Sequence, residues 1–467
     1  EDGEFHPAVI RVAAERLRLA RERSDAVALA EAIRPCLIKN FGGMMNYTLY
    51  TRSHCGTKVI IEEFVAELVA SLDHLKEIAS KDEAAAQSLS DFIDSALLSY
   101  GKTSLLMSGG GGLGFYHFGL LRALLAMDML PQVICGTSMG AIVLGFLASR
   151  SNKEALEELE KLEDLYIQVG PKGALPGSKL WKLAQVMQKG YIYELEDCEE
   201  HLAWFTQGMT FREAFDKTGR YINITCTPRK TRKVDGLPSL ILNHITTPHV
   251  TLTSAILASS CIPCLFLPIH LMEKLPDGTI RHYQGNQPGA GSDSSLDLVQ
   301  MRDGSFENDV PVQAMGVFFN SQFSIVSQVN PHIIPFFFNP LGAAGRPVRY
   351  PWRRYRGGFL LSLIECWCKE DMIKNLRIMH SMGLLFRVFG VDWSYLFIQG
   401  EVGDITIVPN ATMLDYWRMG DNQHSRKEFA DIIRQSERRT WRHMAIISNR
   451  MRIEQSLEAL AAVVRGS

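Results

Sequence analysis

Apolar positions in the first hundred residues recur at three- and four-residue spacing. No proline falls between Ala8 and Arg34, and Val9, Val12, Ala13, Leu17 and Ala20 recur among arginine and glutamate, which predicts an amphipathic helix. After the punctuation Asn40-Phe41-Gly42-Gly43, a second helix is expected from about Thr57 to His74, with Ile60, Ile61, Phe64, Leu68, Val69 and Leu72 on one side. The texture changes at Thr103 to Met107, a short apolar run that ends in Ser108-Gly109-Gly110-Gly111-Gly112-Leu113-Gly114 and leads into a helical stretch, His117 to Met127. A second run, Val133-Ile134-Cys135, is followed by Gly136-Thr137-Ser138-Met139-Gly140 and an apolar helix, Ala141 to Ser149. The order is strand, glycine turn, helix, strand, sharp turn, helix. Further strands are expected at Tyr221 to Cys226, Ser239 to Leu242 and Val312 to Phe319, so the middle of the chain reads as α/β with a largely parallel sheet.

Beyond this core, Asn286 to Asp297 is rich in Gly, Ser and Pro and reads as a mobile surface loop. Apolar helical material is expected from Phe359 to Phe397, and amphipathic helices at Arg426 to Arg434 and Thr440 to Val464. Three regions follow: helical 1–100, an α/β domain at 101–330 and a helical extension at 331–467. No internal repeat is present.

Composition narrows the functional classes. The chain has 467 residues, enough for a substantial core, and its 46% hydrophobic and 21% charged content excludes collagen-like and wholly disordered readings. Lys plus Arg total 49 against 51 for Asp plus Glu, a balance of −2 that gives no electrostatic case for nucleic acid. Nine scattered cysteines read as reduced thiols, and the pairs Cys261/Cys264 and Cys366/Cys368 lack partner pairs at zinc-ribbon spacing, so neither a disulfide framework nor a metal is expected. No uninterrupted apolar run reaches the roughly 18 residues that predict a membrane-spanning helix.

The chemistry concentrates in two turns. Gly136-Thr137-Ser138-Met139-Gly140 fits G-x-S-x-G, where flanking glycines (Gly136, Gly140) permit a tight strand-to-helix turn that exposes a nucleophilic serine at a helix N-terminus. Backbone amides of Gly110, Gly111 and Gly112, joined by that of Met139, suit an oxyanion formed when Ser138 attacks an ester carbonyl. Gly109-x-Gly111-x-x-Gly114 also satisfies a dinucleotide fingerprint, but that reading wants an acidic residue near the end of the second strand, where this chain has Cys135-Gly136-Thr137-Ser138. A serine needs a base, from either a Ser-His-Asp triad or a two-residue arrangement, and Asp303 in Arg302-Asp303-Gly304-Ser305 is one acidic candidate among many.

At this point the sequence resembles the patatin-like phospholipases, specifically the intracellular triacylglycerol lipase branch of fungi and plants. The resemblance is carried by Gly109 to Gly114 with Tyr116-His117-Phe118-Gly119, by Gly136 to Gly140, by Asp303-Gly304-Ser305 with Asn308-Asp309-Val310-Pro311, and by Gly403-Asp404-Ile405-Thr406-Ile407. Two positions depart from the phospholipases proper: Leu113 stands where the glycine motif usually carries Arg, and Ser305 follows Asp303-Gly304 in place of Gly or Ala. The resemblance implies a three-layer α/β/α sandwich, a Ser138–Asp303 dyad without a catalytic histidine, no cofactor, and hydrolysis of triacylglycerol at a lipid-droplet or endoplasmic-reticulum surface on the cytoplasmic side. Phospholipase, lysophospholipase or lysophospholipid acyltransferase activity is the alternative on the same site, and a non-enzymatic lipid-droplet scaffold is a further one.

Other residues have plainer readings. His117 reads as a packed or capping residue, while His332, His380 and His443 keep a Ser…Asp…His order as the runner-up. Ser254, Ala255, Ala258, Ser259 and Ser260 read as small residues for close packing, Asp404 as a turn or cap residue, and Asn223 and Asn243 as hydrogen-bonders at strand ends. Ile333 to Phe397, with Phe336-Phe337-Phe338 and the arginines and aromatics of Arg346 to Arg356, is expected to contact lipid as a segment.

Overall fold

The computed structural model of the chain describes residues 5–51, 56–161, 195–228, 240–261, 269–283, 301–303, 309–331, 333–334, 358–382, 402–411, 415 and 425–466. The expected loop Asn286 to Asp297, Phe336 to Phe338, Arg346 to Arg356 and Leu384 to Phe397 lie outside the described residues.

The strands are β1 (Lys102–Met107), β2 (Val133–Gly136), β3 (Tyr221–Pro228), β4 (Leu240–Asn243), β5 (Met272–Lys274), β6 (Ile280–His282), β7 (Met301–Asp303), β8 (Ser321–Ser327) and β9 (Ile405–Ile407). The central sheet runs β4-β3-β2-β1-β8-β9, with β7 also on β3, and β5–β6 form a separate hairpin. Pairs β1–β2, β1–β8, β2–β3 and β8–β9 are parallel, whereas β4 and β7 run antiparallel to β3. The sheet is mostly parallel, as the alternation of short apolar runs and helices predicts.

Side-chain alternation along the strands sorts the two faces. Leu105, Ile134 and Ile325 join the larger core, while their neighbours Leu106, Val133, Cys135 and Val326 join a smaller one. The flanking helices used below are α1 (Pro7–Glu22), α2 (Val59–Lys81), α3 (Ser90–Tyr100), α4 (Tyr116–Ala126), α5 (Met139–Ala148), α6 (Leu252–Ser259), α7 (Val312–Phe319), α8 (Gly358–Ser381), α9 (Arg426–Trp441) and α10 (Met444–Gly466). On α2, buried Ile61, Phe64, Leu68, Leu72 and Leu75 keep the three/four spacing read from the sequence. α1 packs on α2, α9 on α4, and α10 on α2 and α3, so that one core cluster contains Leu17, Leu144, Phe429 and Leu460.

One expected strand is a helix. Val312 to Phe319 forms α7, and the strand that follows it is Ser321–Ser327. Apart from Gln313 and Gly316 the run is apolar, which hides its period, but only Met315 and Phe319, four apart, are buried, while Val317 is 83% exposed. Asn320, in the left-handed region at φ 52°, closes α7 and turns the chain into β8.

Candidate active site

Polar residues gather where the parallel strands end. Ser108 follows β1, Thr137 and Ser138 follow β2, and Gln328 and Asn330 follow β8; all five are buried. The carboxyl ends of parallel strands are where α/β folds place ligands, because chain departs there into loops and helix N-termini.

Ser138 occupies φ 52° and ψ −118° at the N-terminus of α5. A residue with a side chain held there is strained by about 1–3 kcal/mol, so the surroundings must over-determine it. They do so through close approach. A Cβ on Gly140 would lie 2.3 Å from the Met107 carbonyl oxygen, and one on Gly136 would lie 2.6 Å from the Gly140 carbonyl oxygen. Both expected elbow glycines are therefore sterically required. The Ser138 N–H donates to Ser259 Oγ at 2.8 Å, and the Thr137 N–H donates to the Met107 carbonyl at 3.1 Å.

The glycine loop lies against this turn. Gly110 and Gly111 have φ of 148° and 56°, and a short 3₁₀ turn, Gly111–Phe115, leads into α4. A Cβ on Gly110 would meet the Val329 carbonyl oxygen at 2.6 Å, and one on Gly114 would meet Met139 Cγ at 2.0 Å, so Met139 is seated directly on the loop. Among the described residues, the amides of Gly110, Gly111, Gly112 and Met139 have no hydrogen-bond partner, whereas those of Ser108, Gly109 and Leu113 do.

The register places Asp303. Both β2 and β4 pair with Asn223 and Ile224, so they flank opposite edges of β3; Cys226 pairs with Leu240 of β4 and with Asp303, so β7 must take the β2 edge. β2 leaves the sheet after Gly136, opposite Ile224, and Asp303, opposite Cys226, occupies the slot two residues further on. At strand spacing, the Asp303 backbone lies about 7 Å beyond Gly136, where the chain turns toward Ser138. The topology thus brings Ser138, Asp303, the glycine loop and Met139 to one end of the sheet.

His117 is wholly buried. Its Nε2 lies 3.0 Å from the Ser108 carbonyl, which can only accept, so Nε2 carries the proton and Nδ1 accepts from Ser327 Oγ at 2.8 Å. Burial pushes its pKa down to about 4, against the opposing pull of the Ser108 carbonyl. His443, between α9 and α10, is half-buried and stacks on Tyr47, with the Tyr47 hydroxyl 3.3 Å from Nδ1. His332 lies outside the described residues, as does the side chain of His380.

Several residues of the site are not singled out by the sequence reading. Ser259, read there as packing, holds the Ser138 amide. Thr137 Oγ1 donates to the Asp309 carbonyl oxygen at 2.7 Å and bonds the Thr225 hydroxyl. Asp309 is 2% exposed and bonded to Gly109 and Asn330. The available signal was position for Thr137, just past β2, and for Asp309, in Asn308-Asp309-Val310-Pro311; Ser259, the last residue of α6, carried none. Asn223 and Asn243 bond one another between β3 and β4, and Asp404 ties β9 to Ser324 of β8, in keeping with the structural readings.

Cys36, Cys135 and Cys368 are free thiols, and among the described residues no group of three His, Cys, Asp or Glu side chains could hold a metal. No helix among them is long and apolar enough to cross a membrane.

Residues 105–315 match the family model described as patatin-like phospholipase, and residues 1–95 match one described as a domain of unknown function, DUF3336. A patatin-like phospholipase domain-containing protein of Coccidioides immitis is 36% identical over 93% of this chain and 56% of its own length. One from Cryptococcus neoformans is 33% identical over 98% of this chain and 50% of its own length. The chain therefore spans about half the length of the curated relatives it matches. Among solved structures, VipD from Legionella pneumophila covers 74% of this chain and 67% of its own at 10% identity, with a TM-score of 0.33. The glycine loop, the serine turn and strands β2 to β7 fall within residues 105–315, and this part of the chain belongs to the patatin-like phospholipase family.

Proposed function

We propose that the chain is a serine lipid acyl hydrolase that releases fatty acid from triacylglycerol at a lipid surface. The observation that carries this reading is the strained Ser138, at the N-terminus of α5, beside a glycine loop in which Gly110, Gly111, Gly112 and the adjoining Met139 keep amides without a partner among the described residues. Preorganised amides of this kind are what a tetrahedral oxyanion requires.

In the mechanism, the Asp303 carboxylate takes the Ser138 Oγ proton as Oγ attacks the ester carbonyl carbon. The carbonyl oxygen becomes the oxyanion held by the four amides. Collapse of the intermediate breaks the bond to the glycerol oxygen, which leaves with the proton from Asp303, and an acyl-serine ester remains. Water, deprotonated by Asp303, attacks that ester through a second oxyanion, and Ser138 recovers its proton as the fatty acid departs. The hydrogen bonds that occupy both ring nitrogens of His117 argue against a triad through that residue.

We assign the reaction to a lipid-droplet or endoplasmic-reticulum surface on the cytoplasmic side. Exposed Leu363, Ile364 and Trp367 on α8 support contact with lipid.

The test is fatty-acid release from emulsified triolein and from phosphatidylcholine vesicles, with wild type and Ser138→Ala. Preferential cleavage of triolein, lost by at least about 10⁴-fold in the variant, is expected. Preference for phosphatidylcholine replaces the substrate assignment but keeps the nucleophile; full activity of Ser138→Ala overturns the mechanism.

A further inference from the structure

We infer that Asp309 is a positioning residue that fixes the glycine loop relative to the nucleophile turn, an inference that rests on the hydrolase reading above. Its Oδ1 accepts the Gly109 N–H at 2.9 Å, its Oδ2 accepts Asn330 Nδ2 at 2.6 Å, and its main-chain oxygen accepts the Thr137 hydroxyl at 2.7 Å. Gly109 immediately precedes the loop amides, and Thr137 immediately precedes Ser138. One buried residue therefore grips both halves of the site at one peptide's remove from each.

The grip sets a direction as well as a distance. Gly109 is bonded at its N–H by Asp309 and at its carbonyl oxygen by Ser108 Oγ, 2.9 Å away. A peptide unit is planar, with C=O and N–H pointing opposite ways, so fixing the Gly109 carbonyl fixes the direction of the Gly110 N–H. Ser108 Oγ in turn accepts the Val329 N–H at 2.8 Å, and Asn330 is held through its own N–H by Gln328 Oε1 at 3.0 Å. Gln328 N–H donates to the Ile407 carbonyl at the end of β9, at 3.0 Å, so the chain of bonds ends on the sheet.

A carboxylate fits this post better than an amide. Both oxygens receive N–H donors, and an asparagine in its place would set an NH₂ group against one of them. The same bonds occupy the carboxylate and make it an anchor rather than the proton acceptor. Asp309 also follows Asp303 by six residues, so it pins the chain on the far side of the proposed base.

The experiment measures kcat and KM on p-nitrophenyl butyrate for wild type, Ser138→Ala, Asp309→Ala, Asp309→Asn and Asn330→Ala. Inhibition by an alkylboronic acid, which mimics the tetrahedral state, and by a fatty-acid amide, which mimics the ground state, is measured alongside. Asp309→Ala is expected to lower kcat by about 10²–10³ with KM within about threefold, as for a lost oxyanion donor. Asp309→Asn should recover part of that loss, and Asn330→Ala should fall between Asp309→Asn and wild type. Boronic-acid affinity should drop with kcat/KM while amide affinity holds, a split that a general loss of packing would not produce. Wild-type kcat in Asp309→Ala, or equal weakening of both inhibitors, overturns the inference. If Asp309→Ala does not fold, Asp309→Asn and Asn330→Ala carry the same test. A wild type that neither turns over the ester nor is labelled at Ser138 by a fluorophosphonate overturns the parent reading together with this one.

Discussion

At the amino end of β1, Arg450 and Glu454 of α10 are buried against Thr103, while at the carboxyl end Ser108, Thr137, Asp309 and Asn330 are buried around the glycine loop. Arg450 Nη2 donates to the carbonyls of Tyr100 and Gly101 at 2.9 and 2.6 Å, and its guanidinium lies 3.6 Å from the centre of the Tyr100 ring. Glu454 accepts the Thr103 N–H at 2.9 Å and its hydroxyl as well. This amino-end cluster sets Arg450 Nε 3.5 Å from Glu454 Oε2, whose carboxyl burial pushes up from its ordinary range, and joins α10 to the first strand. The carboxyl-end cluster holds positive φ at Gly110, Gly111 and Ser138 and leaves amides without partners among the described residues. The difference teaches where each region's polar groups act: at one end they hold the chain together, and at the other they hold donors open.

The largest effect that separates the two ends is expected at Glu454. Removing one member of a buried charge pair strands the other, a loss of about 3–5 kcal/mol. Glu454→Gln should lower stability by that amount in urea unfolding, while kcat per folded molecule stays within about twofold of wild type. A variant as stable as wild type, or one inactive while folded, would break the contrast. Gly110→Ala should behave in the opposite way. Its Cβ would lie 2.6 Å from the Val329 carbonyl oxygen, at a φ of 148° that L residues rarely adopt, so the loop must move. Ester turnover should fall by about 10²–10³, the cost of an oxyanion donor out of place. Retained turnover would show that the loop's position is not what matters.

Two histidines give the next test. Desolvation lowers both His117, at the site, and His443, between α9 and α10, to about 4 from 6.5, with Arg439 and Arg442 adding to the shift at His443. Each is neutral in the folded chain where the unfolded chain already binds a proton, so this part of the stability is complete above pH 6.5 and is lost as pH falls toward 4. From pH 7 to pH 5 the loss is about 2 kcal/mol per histidine. Urea unfolding of His443→Phe should show a shallower pH dependence with turnover retained. His117→Gln should flatten the curve similarly and also reduce turnover, because Ser108 and Ser327 lose their partner. Equal effects on turnover would erase the distinction.

How far the sequence carried this picture follows from the range of the interactions involved. The serine turn and glycine loop are local: G-x-S-x-G and the glycine run fix their own backbone, and both were legible from Gly109 to Gly140 alone. Strands β1, β2 and β3 were legible because their apolar runs are short and bounded by glycine or polar turns, whereas β8 and β9 were not expected. α7 was not, since an apolar run of eight can be helix or strand and tertiary packing decides. The slot of Asp303 beyond β2 comes from register across β3, and the bonds of Asp309 span 200 residues to Gly109 and 172 to Thr137. Neither has a local sequence signature. Ser259 failed for the same reason: a serine in Ala258-Ser259-Ser260 looks like packing until the Ser138 amide is found on it.

The smallest expected effect concerns neither end of β1 but the route by which substrate reaches the open one. On α8, Leu363, Ile364, Trp367, Met372, Ile378 and Met379 are exposed, Trp367 at 68%. Exposed apolar side chains gain free energy when they enter a lipid interface, and indole is well suited to that boundary. Trp367→Ala should leave hydrolysis of soluble p-nitrophenyl butyrate unchanged and lower hydrolysis of emulsified triolein by roughly three- to tenfold, in step with weaker flotation on liposomes. The pairing of assays matters because a change at the carboxyl end of β1 would depress both substrates together. Equal loss on both would place Trp367 with the site, and no loss on either would remove α8 from the lipid-facing surface.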